Sequence, residues 1–122
     1  MNRHDTREKL VISVYQQLLL NKHLFDCALD NGLDADNDLA VAVLNSLMEK
    51  QEEYAEELNV LLNKWTFNRL GFMEQAILLV ATAEIKETIN DKAVVINEAI
   101  TIAKKFCDEE SYKYINGVLD RL

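Results

Sequence analysis

An all-α domain is the fold this sequence predicts, and three observations predict it. Proline is absent and glycine occurs three times in 122 residues, too few turn formers for a β-rich chain of this length. Apolar residues recur at three- and four-residue spacing along most of the chain. Hydrophobic residues make up 49% and charged residues 28%, the balance of a globular domain and not of a disordered one. The length suits one compact domain, residues 1–122, built from six or seven short helices.

Residues 5–20 read as the first helix. Asp5 can cap it and Glu8, three residues on, completes a capping-box pattern. Leu10, Val11, Val14, Tyr15, Leu18 and Leu19 form its apolar face. A short helix over 23–30 stops at Asn31-Gly32, where positive φ is accessible. An acidic loop follows, with Asp36 or Asn37 as the next cap. Residues 38–50 and 52–64 are helical, with no glycine or proline between them, so one bent helix is an open alternative to two. Thr66 can cap the next turn, and Gly71 interrupts it.

Residues 72–88 form a helix that Phe72, Met73, Ala76, Ile77, Leu79, Val80 and Ala83 almost encircle, which places it at the centre of the bundle. Asp91 can cap a helix over 92–106. Its Val94-Val95-Ile96 run also fits a strand, but the spacing Ile96, Ala99, Ile100, Ala103 decides for helix. Residues 107–110 turn the chain into a last helix over 110–121.

The net charge is −8, which argues against nucleic acid as a partner. The distribution reverses that argument. Residues 26–57 carry ten acids against Lys50 alone, whereas residues 1–22 carry Arg3, Arg7, Lys9 and Lys22 against Asp5 and Glu8. Charges more than a Debye length apart, about 8 Å at physiological salt, act separately, so a basic end can coexist with an acidic one. No apolar run approaches the ~18 residues of a membrane span, and the polar start lacks a signal peptide's apolar segment. A cytoplasmic protein without a membrane partner is expected. Cys27 and Cys107 lack a CxxC or histidine setting and are read as small apolar fillers.

No motif for phosphate, nucleophilic or metal chemistry occurs, and the two histidines, His4 and His23, sit in polar surroundings. Glu52-Glu53 and Glu56-Glu57 read as a solvated acidic face. Glu84 and Glu98 sit amid apolar helix residues. A buried carboxylate needs a partner, and Arg7 or Arg69 is the expected one.

The C-terminal third carries a specific pattern: Val95-Ile96-Asn97-Glu98-Ala99, Ala103-Lys104-Lys105-Phe106, and the run Ser111-Tyr112-Lys113-Tyr114-Ile115-Asn116-Gly117-Val118-Leu119-Asp120. Upstream, Trp65, Arg69-Leu70, Ala76-Ile77-Leu78 and Glu84-Ile85 continue it, as do Arg7-Glu8 and Tyr15-Gln16 in the first helix. Together they closely resemble the NusB family of transcription antitermination factors over nearly the whole chain.

The resemblance implies an all-helical double bundle that is not an enzyme and holds no cofactor or metal. It implies pairing with the small-subunit ribosomal protein NusE. It further implies binding of the single-stranded boxA element of nascent RNA within the RNA polymerase antitermination complex, in support of ribosomal RNA transcription. The resemblance leaves a homodimer that covers the RNA surface open as well. The alternative is an interaction module of the same fold with weak or lost RNA binding.

Carried onto this chain, the RNA-contacting positions are Arg3, His4, Arg7 and Tyr15 near the start, Arg69, and Ser111, Lys113 and Tyr114 in the last helix. The physics suits them. A short basic arm and a helix N-terminus attract phosphate, and an aromatic ring stacks on an unpaired base. For Tyr15 and Tyr114 a core role is equally open, and Arg7 has Glu98 or Glu8 as alternative partners. The NusE surface is expected around Glu74 and Gln75, where an acidic patch suits a basic ribosomal protein, with segment 49–57 as a further contributor.

Overall fold

The structure, a computed structural model, describes residues 1–122: α1 (Arg3–Leu20), α2 (Leu24–Asp30), α3 (Asp38–Leu61), a 3-10 turn at Phe67–Arg69, α4 (Phe72–Lys86), α5 (Lys92–Phe106) and α6 (Glu109–Asp120). There are no strands, and no helix is long and apolar enough to cross a membrane.

The central helix is α4. Every residue from 75 to 84 is buried, and α4 packs against α1, α3, α5 and α6. It is the element shared by two bundles, with α1 to α3 on one side and α5 and α6 on the other. One apolar cluster runs through all six helices, including Leu10, Leu24, Leu47, Leu58, Ile77, Leu78, Ile102 and Leu119.

Several helix ends differ from the sequence expectation. α1 begins at Arg3, because Asn2 is the cap and its side chain accepts from the Asp5 amide at 2.8 Å. The basic start is therefore helix and not a flexible arm, and Glu8 is freed from a capping box to pair with Lys105. The two helices expected over 38–64 are one, Asp38–Leu61, of 24 residues and about 36 Å, because nothing in it breaks the hydrogen-bond ladder. Asn37 caps α3. Thr66 and Asp91 stand at cap positions without a capping bond. At the 3-10 turn, Asn59 Oδ1 in α3 takes the Phe67 amide at 2.9 Å instead. Gly32, at φ 83°, closes α2 in the conformation that glycine adopts at least cost.

One ion pair lies inside the apolar cluster. Arg7 on α1 is 5% exposed and Glu84 on α4 is 1% exposed. Arg7 Nη2 donates to Glu84 Oε1 at 2.7 Å and Arg7 Nε reaches both carboxylate oxygens at 3.0 Å. Asn90 Nδ2 adds a donor to Glu84 Oε1 at 2.8 Å. Of the two carboxylates expected to be buried, Glu84 is buried; Glu98 is half-exposed and its Oε2 lies 4.0 Å from Arg7 Nη1. Breaking a buried pair strands the surviving charge, which costs about 3–5 kcal/mol. Arg7→Ala should therefore lower unfolding stability by about that amount in urea titration, with RNA absent.

Candidate nucleic-acid interface

The residues singled out in the sequence fall into two groups, one on α1 and one where α4 and α6 begin. The first group lies on α1. Arg7 is the clearest correction among them. Its guanidinium is buried against Glu84, so it is not available to a phosphate. His4 Nδ1 is 2.8 Å from Glu98 Oε2 and its Nε2 is 3.5 Å from Glu8 Oε2. Arg3 is exposed, but it lines a concavity of about 400 Å³ together with Asp34, Asp36 and Asp38. The acidic loop thus folds back beside the basic end, a proximity that the linear charge pattern did not show. Tyr15 is half-buried and packs against the core.

The second group gathers where α4 and α6 begin. Asp108 caps α6, its Oδ1 accepting from the Ser111 amide at 2.8 Å, and that amide holds the Asp108 carboxyl below its ordinary range. The cap fixes the first turn of α6, which carries Ser111, Lys113 and Tyr114. Tyr114 is half-buried and stacks on Trp65, with ring centroids 5.2 Å apart and planes inclined by 30°. Burial, and then the nearby Glu74 carboxylate, push the Tyr114 hydroxyl well above its ordinary range. Arg69 shares a concavity of about 330 Å³ with Trp65, Glu74, Asp108, Glu110 and Tyr114.

Glu74 is half-buried in the first turn of α4, open to that concavity. Gln75, expected beside it as a partner contact, is 4% exposed. Its Nε2 donates inward to the Leu70 carbonyl at 2.9 Å, which ties the 3-10 turn to α4 and removes Gln75 from the surface. The acidic segment 49–57 is also elsewhere. Glu57 pairs with Lys86 at 2.6 Å, at the far end of α4, about 18 Å along the helix from Glu74. Trp65, which the sequence marked for the resemblance but gave no binding role, lines the same concavity. A lone tryptophan beside Lys64, in the link between two helices, was the available signal.

No group of three or more His, Cys, Asp or Glu side chains converges to hold a metal ion. This surface sets Arg69, Lys113 and the Trp65–Tyr114 rings beside the carboxylates of Glu74, Asp108 and Glu110.

Comparison with known proteins agrees in every register. The NusB family profile matches residues 4–122. The transcription antitermination protein NusB of Bacillus cereus (strain B4264) is 35% identical over 127 aligned residues, covering all of this chain and 97% of that protein. The namesake from Bacillus mycoides (strain KBAB4) is 35% identical over the same span. Among solved structures, T. maritima NusB superposes with a TM-score of 0.87 at 27% identity, over 99% of this chain and 89% of that one. A chain from a complex of the antitermination factors NusB and NusE with dsRNA has the same fold, with a TM-score of 0.73 at 22% identity, over 98% and 93% of the two chains.

The environment of the cysteines makes a prediction here. Cys27 is buried, and its thiol is raised by desolvation. Cys107 is half-buried, and burial with Glu74 nearby pushes its thiol up to about 12. Thiolate is the reactive form, so iodoacetamide at pH 8 should leave both cysteines unmodified in the folded protein and label both in urea, read by mass spectrometry.

Proposed function

The chain belongs to the NusB family of transcription antitermination factors, which are not enzymes, and from that membership we propose that it binds boxA-type single-stranded RNA together with the ribosomal protein NusE. In this reading the pair joins the RNA polymerase antitermination complex and supports ribosomal RNA transcription. One observation carries the reading. Arg69, Ser111, Lys113 and Tyr114 gather at one end of the molecule, next to the half-buried carboxylate of Glu74. Cations and a helix N-terminus suit phosphate, the tyrosine suits a base, and Glu74 suits a basic ribosomal protein. RNA and NusE would then share an edge, and each would lower the cost of ordering the other. The α1 contribution narrows to Arg3, His4 and Tyr15, of which Arg3 and His4 stand beside carboxylates. RNA affinity of the chain alone should be modest.

The test is a mobility-shift titration at about 150 mM salt, with and without NusE. The pair should prefer boxA RNA to a scrambled sequence of equal length, and the chain alone should bind both weakly. Equal affinity of the pair for the two RNAs would leave the interaction-module reading. Glu74→Lys should weaken NusE association by about tenfold or more, because like charge at an interface is costly, with the helical circular dichroism unchanged. Full-strength association would move the NusE surface elsewhere.

A further inference from the structure

A concavity of about 240 Å³ lies between the C-terminal end of α3 and the outer face of α6. Its wall is the Trp65–Tyr114 stack and its charged rim is Lys64, Lys113 and Arg121. No carboxylate lines it. On a chain of net charge −8 this is an exception, since the other large concavities are lined by Asp or Glu.

Each part faces a nucleotide's chemistry. Trp65 is 40% exposed, so one indole face is free while the other rests on Tyr114. Lys64 has no carboxylate partner; Lys113 has only the exposed Glu109, at 3.1 Å. Arg121 Nη1 donates to the Leu61 carbonyl at 2.6 Å. That contact neutralises the electronegative end of α3, which would otherwise repel a phosphate. The floor includes Gly117, in the interior of α6 with no positive φ to require glycine. A Cβ there would already touch Arg121 Nη2, at 3.7 Å.

We infer that this groove is a nucleotide subsite for single-stranded RNA, in which a base stacks on Trp65 and the flanking phosphates meet Lys64, Lys113 and Arg121. It rests on the RNA-binding reading above and extends the RNA track beyond Tyr114, around the end of α3. Stacking on an indole accepts any base, so the subsite adds affinity and leaves sequence choice to other contacts.

Trp65 is the sole tryptophan. The chain labelled with 5-fluorotryptophan therefore gives one ¹⁹F resonance, even in complex with unlabelled NusE. Addition of a boxA oligoribonucleotide extended by a few nucleotides at each end should shift that resonance in step with the anisotropy of fluorescein-labelled RNA. Trp65→Leu should weaken RNA binding about tenfold, and Trp65→Phe should restore most of it. Lys64→Gln should reduce the slope of log affinity against log salt by about 0.7. RNA that binds by anisotropy while the ¹⁹F resonance stays fixed and Lys64→Gln keeps the wild-type slope would overturn the subsite and leave RNA binding standing. No binding by either readout would overturn both. A resonance moved by poly-glutamate and not by RNA would assign the groove to acidic peptide instead.

Discussion

The rest of the structure depends on the Arg7–Glu84 pair. It is the one ion pair in the core, and it joins the helix that opens the chain to the helix at the centre of both bundles. Its bidentate geometry and the third donor from Asn90 leave neither charge unanswered. A slipped register of α1 against α4 would strand both charges, whereas apolar contacts alone would tolerate it. The pair therefore fixes where α1 sits, and with it the positions of His4 against Glu98 and of Glu8 against Lys105.

That constraint redistributes function. With Arg7 in the core, Arg3 beside the acidic loop and His4 on two carboxylates, little unopposed positive charge remains at the start of α1. A groove lined by Lys64, Lys113 and Arg121 and by no carboxylate lies at the other end of α4, around the Trp65–Tyr114 stack. An acidic protein can bind RNA when its few free cations share one edge with aromatic faces. It gains from a basic partner docked on a neighbouring carboxylate, here Glu74.

The fold was largely legible because hydrophobic spacing and missing prolines are strong helix signals, and a helix apolar on all sides, 72–86, could only be central. The ambiguity over 38–64 had a physical answer in the absence of any breaker. Caps were less legible. Asn2 outcompeted Asp5, and at the 3-10 turn a side chain from α3, Asn59, takes an amide while Thr66 takes none, because capping partners come from tertiary neighbours as well as from sequence. The arrangement of the proposed site was half legible. That Ser111, Lys113 and Tyr114 share the last helix could be read from a pattern. The burial of Arg7 and Gln75, and the groove beside Trp65, could not, because they depend on which face of each element turns inward. Linear charge blocks misled for the same reason: the loop around Asp34–Asp38 folds back onto Arg3.

In the proposed function, Arg7 holds the fold while RNA binds at the other end of α4. The most direct test is the salt dependence of boxA RNA affinity for the NusE complex of the double variant Arg7→Met/Glu84→Met, which removes both charges together and keeps the core filled. A slope of log affinity against log salt equal to that of the unsubstituted protein is the expected result. A slope smaller by about 0.7, the loss of one single-strand phosphate contact, would show that Arg7 reaches RNA and would contradict the account.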